Sequence, residues 1–335
     1  MSAHDPRVRR DGTGAALHVG YVEASLDALL ADPALLAVIG FGSRAPSAHP
    51  DPRYFNAGLD VLGETAPFEV WRGGGQVECG RHGNVAWSCD GELCFGAIEI
   101  GEEEHGGPAG VAEVAYRQML EFVSGTAQPH LLRVWNVLDA INQGAGDDER
   151  YRQFCLGRAR GMQGRIEAYP AATAVGVNDG RRRLRIYFLA GREPGTHIEN
   201  PRQVAAWRYP RAYGPQPPSF SRATLPASHD VPLLLSGTAS VVGHATLHAD
   251  DVALQVGETL SNLASLLLTA HHMRPALPLG LGAGSLLKVY VRDPAEVAAI
   301  AAVLERHIPA ALPRLLLHAD ICRADLRMEI DGFHG

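Results

Sequence analysis

The chain has 335 residues, 46% of them apolar and 20% charged, with a formal net charge of −7. That is more than one small core needs and suits two domains of ordinary size in a soluble globular protein. The acidic balance and scattered arginines exclude a nucleic-acid partner. Met1–Gly20 lacks the apolar core of a secretory signal, and the short apolar run Leu29–Gly42 is interrupted by Asp32-Pro33, which excludes a membrane span. A cytoplasmic protein is expected.

In chain order, Val22–Val38 reads as one or two short helices inside an otherwise irregular or extended N-terminal segment. From Phe68 the runs FEVWR, QVECG, NVAWSCD and LCFGAIEI, separated by glycine-rich turns, predict strands. Gly110–Gly125 spaces Val111, Val114, Ala115, Met119, Phe122 and Val123 as the apolar face of a helix. Leu131–Leu138 reads as a strand, Asp147–Ile166 as a helix opened by acidic residues, and Ala172–Val177 and Leu184–Ala190 as strands. The order then repeats: strand Leu233–Gly237, helix Asp250–Ala270, strand Leu286–Arg292, helix Pro294–His307 with proline in its first turn, and strands at RLLLH and LRMEID. LLRVWNVL and LLKVYVRD are alike, which supports a duplication. The expected fold class is α+β: two units of mixed sheet with helices on one face. Residues 1–67 form an N-terminal extension packed on the first unit, 68–199 the first unit, and 200–335 a connecting loop and the second unit.

Asn200–Ala223 is the richest stretch for chemistry, with four arginines, two tyrosines, a tryptophan and five prolines. Guanidinium forks and phenols on a proline-stiffened loop suit a small planar anion. Tyr209 is held extended by Pro210, and Arg222 follows the Pro-rich bend as either an anchor or an anion clamp. Tyr151, Cys155 and Arg158 share one helical face, open to reading as a solvated face or as part of a site. In LRMEID, alternation puts Glu329 on the face with Arg327 and Asp331. It is an ordinary exposed acid if that face is wet, and a proton donor near neutral pH if the other unit covers it. Cys322 suits a buried small hydrophobe. Five cysteines without a CxxC pair read as reduced thiols rather than a disulfide frame, and His244/His248 and His271-His272 read as surface or capping histidines. No metal or organic cofactor is indicated.

LLLSGTASVVGH, the helix after it and LRMEID resemble the RidA/YjgF-like fold over Leu233–Asp331. A more specific likeness runs through RVWNVLDAIN, ERYRQFCLGR, YFLAGR, IENPRQV, YPRAYGPQPPSFSRA, SGTASVVGH and ADICRADLRMEIDG, about two thirds of the chain. Together these motifs resemble the chorismatases, which release the enolpyruvyl side chain of chorismate as pyruvate. The resemblance implies Tyr151, Arg158, Tyr209, Tyr213 and Arg222 as substrate-binding residues and Glu329 as the catalytic acid. It implies Cys322 as a second catalytic-site residue of the branch that makes 3-hydroxybenzoate, with Ala239 where small residues differ between branches. The likeness lies with members that serve xanthomonadin pigment biosynthesis and yield 3- and 4-hydroxybenzoate. Fused units imply a monomer with pseudo-symmetric halves that takes a small-molecule substrate at a cleft between them. Other readings are a RidA-type imine or enamine hydrolase using Arg323, a chorismatase that stops at a dihydroxycyclohexadiene carboxylate, and a non-catalytic aromatic-acid binding protein.

Overall fold

The computed structural model describes residues 16–63, 66–165 and 168–335. Strand β1 (Leu17–Val22), helix α1 (Leu26–Leu30), strands β2 (Leu35–Gly40) and β3 (Tyr54–Asn56), the short β4 (Asp60–Val61) and β5 (Phe68–Gly73) make up the N-terminal part. Ser25 caps α1 by accepting a hydrogen bond from Ala28 N. Leu35–Gly40 is a strand where the sequence pattern suggests helix, because all six residues are buried, on both faces, and periodicity cannot separate the two cases. A four-stranded sheet in the order β1-β5-β2-β3 results. Phe68–Gly73, expected in the first unit, belongs to this N-terminal sheet.

The first unit continues with β6 (Glu78–His82), β7 (Val85–Cys89), β8 (Leu93–Gly101), α2 (Pro108–Ser124), β9 (His130–Asp139), α3 (Arg150–Met162), β10 (Ala171–Val177) and β11 (Arg183–Gly191). Helix α3 starts later than its acidic run suggests, because Gly146–Asp148 forms a separate 3-10 turn; the expected end at Ile166 falls outside the described residues. The second unit holds β12 (Thr196–Ile198), β13 (Ala223–Leu225), β14 (Leu233–Thr238), a small ribbon of β15 (Val241–Val242) and β16 (Ala245–Thr246), α4 (Val252–Met273), β17 (Ser285–Val291), α5 (Val297–His307), β18 (Arg314–His318), β19 (Asp320–Ile321) and β20 (Met328–His334).

Two seven-stranded mixed sheets form, ordered β19-β10-β9-β11-β8-β7-β6 and β12-β13-β14-β20-β17-β18-β4. Their cores, β8-β11-β9-β10 and β14-β20-β17-β18, have one topology: a parallel pair joined across a helix, flanked by antiparallel neighbours. Each sheet is helix-covered on its outer face. The inner faces meet in one apolar core that includes Trp135, Tyr187, Tyr290 and Phe333, and the N-terminal sheet adds Phe41 and Trp71. The N-terminal segment therefore touches both units, and β4 extends the second sheet by pairing with β18. In exchange β19 crosses to the first sheet and pairs with β10. No helix among the described residues is long and apolar enough to cross a membrane.

One cysteine expectation is corrected. Cys89 and Cys94 lie directly opposite across the β7–β8 hairpin, Cα atoms 4.1 Å apart, and are joined as a disulfide. Cross-strand neighbours this close need no CxxC spacing. Cys79, Cys155 and Cys322 are free.

Candidate active site

A cavity of about 380 Å³ opens where the β10 edge of the first sheet meets β14 of the second, a size that suits a small organic ligand. Direct bonds fix the seam: Ser236 Oγ accepts from Ala172 N at 2.8 Å, and Thr224 Oγ1 from Ala171 N at 3.0 Å. Tyr151, Arg158, Tyr209, Tyr213, Arg222, Ala239, Cys322 and Glu329 all line this one cavity.

Helix α3 supplies the first group. A side chain at Gly157 would strike the backbone of Ala109, and one at Gly161 that of Glu113, so these glycines let α3 lie directly on α2. Another side of α3 turns Tyr151 and Arg158 to the cavity, while Cys155 between them is buried in the core of the first unit, so this face is covered rather than solvated. The Arg158 guanidinium sits 5.0 Å over the Tyr116 ring; it is only 3% exposed, and its Nε and Nη2 have no hydrogen-bond partner among the described residues. No carboxylate of the described residues lies within ion-pair distance of it.

The connecting loop supplies the second group through one-turn 3-10 helices at Ala206–Arg208 and Arg211–Tyr213. Of its four arginines only Arg222 faces the cavity. Arg202 pairs with Glu258 and Arg211 with Asp147, both at the outside of the loop. Arg222 donates from Nη2 to Tyr209 Oη at 2.8 Å and to Val204 O at 3.1 Å, lies 5.0 Å over the Phe220 ring, and leaves Nε unpartnered. Gly214, at φ 132, lies against the Arg152 side chain and closes the loop down on α3. Tyr213 packs on Tyr209 at 5.3 Å and meets His244 Nδ1 at 3.2 Å, and that histidine is exposed, as expected of a surface residue.

Strand β20 supplies the acid. Met328 and Ile330 face the helices of the second unit, whereas Glu329 and Asp331 face the first unit and are buried. Of the two environments open to Glu329, the covered one is realised. Burial first, then the Asp331 charge, pushes its carboxyl from 4.5 up to about 8, against the opposing pull of Arg133 and Arg222. A side chain at Gly237 would overlap Glu329 Oε1, so the bare backbone at the β14 bulge makes the room. Cys322 is pushed up to about 12, mainly by burial and next by Glu329, so it stands as a neutral thiol. Ala239 is buried in the opposite wall, its carbonyl held by Asn262 Nδ2 at 3.0 Å.

Some wall residues had no role in the sequence reading. Thr173 has no motif around it and reaches the cavity from the part of β10 that lies beyond its short pairing with β19 at Val175 and Gly176. Gln203 lies in the loop and holds a buried, unpartnered Oε1. Gly237 was legible as the glycine of the SG turn, but its purpose appears only with Glu329 beside it. Arg323, singled out for the hydrolase reading, lies 4.2 Å over Tyr213 and donates to His244 O at 2.9 Å. No cluster of His, Cys, Asp and Glu that suits a metal ion occurs among the described residues. Chemically, the site offers two buried guanidiniums that form no ion pair among the described residues, phenols between them and one carboxyl pushed up to about 8.

A family model described as Chorismatase FkbO/Hyg5-like, N-terminal, matches residues 69–190. A chorismatase of Streptomyces rapamycinicus is 36% identical over 79% of this chain and 81% of its own length. A 3-hydroxybenzoate synthase of Streptomyces hygroscopicus is 33% identical over 89% of this chain and 91% of its own. A chorismatase crystal structure superposes with a TM-score of 0.84 at 30% identity, covering 97% of this chain and all of that one.

Proposed function

The chain belongs to the chorismatase family of enzymes, and from that premise we propose that it converts chorismate to 3-hydroxybenzoate and pyruvate, with 4-hydroxybenzoate as a second aromatic product. The observation that supports this reading is the pairing of two buried guanidiniums, neither in an ion pair with a carboxylate of the described residues, with a carboxyl raised to about 8 across one cavity. A buried, unpaired arginine is costly, and the carboxylates of a dicarboxylic substrate offset that cost on binding. Arg158 and Arg222 hold the two carboxylates from opposite sides of the seam, with Tyr151, Tyr209 and Tyr213 packing the ring between them. Ala239 and Cys322 border the space that the ring occupies.

Glu329 gives its proton to the enolpyruvyl methylene, which becomes a methyl group beside an oxocarbenium-like carbon. The carboxylate left behind stabilises that positive charge. The bond between ring and ether oxygen breaks, and the oxygen leaves as the pyruvate carbonyl. Loss of a ring proton then restores the balance, and chorismate yields hydroxybenzoate plus pyruvate without consuming water. For the 3-isomer the retained hydroxyl oxygen moves to the neighbouring ring carbon. Cys322, neutral and beside Glu329, acts there as pocket wall or proton carrier rather than as a thiolate nucleophile. Incubation of the purified protein with chorismate, followed by pyruvate assay and chromatography, tests the reading: pyruvate and hydroxybenzoate are expected in equal amounts. Binding without turnover, or turnover of imines alone, would replace it.

A further inference from the structure

Behind the cavity lies a buried set of charges that reaches no ligand. Asp331 Oδ2 accepts four hydrogen bonds: Arg133 Nη2 at 3.0 Å, Trp135 Nε1 at 3.0 Å, Thr173 Oγ1 at 2.6 Å and Tyr290 Oη at 2.9 Å. Lys288 Nζ stands 3.6 Å from Asp331 Oδ1 and 2.8 Å from Glu69 Oε2, and Glu69 Oε1 accepts from Trp71 Nε1 at 2.9 Å. Arg133, Lys288, Glu69 and Asp331 are all fully buried, two cations against two anions. They come from four strands in all three large sheets: β9, β17, β5 and β20.

This set touches the active site at two points. Thr173 lines the cavity while its hydroxyl donates to Asp331. Asp331 also lies two residues from Glu329 on one strand face, a separation of roughly 6–7 Å. The charged and titratable groups around Glu329 are Asp331 on its own strand, Arg133 from β9, Arg222 just before β13 and Cys322 beyond β19. Tyr187 and Tyr290 act on Asp331 instead.

We propose that Asp331 is a positioning residue for the acid step: its fixed negative charge keeps the proton on Glu329, and Glu69 of the N-terminal sheet maintains that field by engaging Lys288. Without Glu69, two cations would face Asp331 alone and its charge would no longer dominate at Glu329. Buried ion pairs also serve packing and conformational specificity, so a purely structural role is the competing account. The two separate cleanly, because a field moves a titration whereas a lost support lowers activity at every pH. At a protein-like effective dielectric, one charge at this separation moves a titration by about one to two pH units.

The inference rests on Glu329 as the acid, and its test has an arm that does not. In Asp331→Asn, the alkaline limb of kcat/KM for pyruvate release is expected to fall by about one pH unit, leaving activity near the parent at pH 6 and about fivefold lower at pH 8. A uniform loss with the limb unmoved would overturn the proposal. Glu69→Gln keeps an acceptor for Trp71 and covers the case in which Asp331→Asn does not fold. In that variant, without substrate, the infrared band of the protonated Glu329 carboxyl, assigned by its absence in Glu329→Gln, should titrate at lower pH than in the parent. An unchanged midpoint would sink the idea whatever reaction the enzyme performs.

Discussion

The two units share a topology but use the inner face of the central strand differently. In the first, β11 sets Tyr187 opposite Trp135 of β9; in the second, β20 sets Glu329 opposite Tyr290 of β17. One register step on, Leu189 opposite Arg133 corresponds to Asp331 opposite Lys288. The first unit fills these places with an aromatic stack, Tyr187 on Trp135 at 4.7 Å and nearly parallel, and with a leucine. The second fills them with two carboxylates. The basic residues remain equivalent, and both reach the same acid, Asp331. On the proposed function, a repeated topology thus keeps one copy as apolar support and uses the other to hold the proton donor. That division works only because the copies face each other: the acid of one is desolvated by the other.

The sharpest break of the comparison is Glu329→Gln against Tyr187→Phe at the corresponding place. Glu329→Gln should lower pyruvate release from chorismate by about 10²–10⁴-fold, whereas Tyr187→Phe, which keeps the stack, should leave kcat within about twofold. Equal losses in both would show that the position matters for packing rather than for proton transfer. Next, Arg158→Ala and Arg222→Ala, one residue from each side of the seam, should each reduce kcat/KM about a hundredfold or more, with the unfolding midpoint unchanged or raised. A loss confined to one of them would mean that a single arginine carries the recognition. Gly237→Ala drives a methyl group into the Glu329 carboxyl and should cost about tenfold in kcat with a modest rise in KM; crystallography would show the displaced carboxyl.

A smaller effect concerns stability and pH. Glu329 is raised from 4.5 to about 8 in the folded chain, so between those values the folded state holds a proton that the unfolded chain has released. Stability is therefore fully present below the lower value and declines as pH rises through the upper one, by on the order of 1.4 kcal/mol per pH unit at most. Glu329→Gln lacks this proton, so its melting advantage over the parent should widen from pH 5 to pH 8 in differential scanning calorimetry. The smallest expected effect on turnover is that of Cys322→Ala: chorismate consumption should persist while the ratio of aromatic products changes, as read by chromatography.

Much of this was legible residue by residue. Helical spacing located α2, α4 and α5, and the likeness of LLRVWNVL to LLKVYVRD marked what became equivalent strands with Arg133 and Lys288 in step. Motif resemblance picked the eight site residues that share the cavity, although spacing alone could not separate a solvated Tyr151–Arg158 face from a buried one. Leu35–Gly40 was misread because a short run buried on both faces has neither period. The Cys89–Cys94 pair was missed because its closeness comes from hairpin register, not from sequence spacing.

The chain order of chemistry-bearing residues, the duplicated strand–helix pattern and the proline-stiffened loop were determined by the sequence alone, since each depends on local stereochemistry or periodicity. The tertiary structure decided what those residues are. Glu329 is pushed towards its protonated form, Arg158 meets no carboxylate at ion-pair distance among the described residues, and Gly237 must leave room for Glu329, only because two sheets meet face to face and bury these groups. Desolvation and charge–charge separation belong to the assembled seam, and no stretch of one strand contains them.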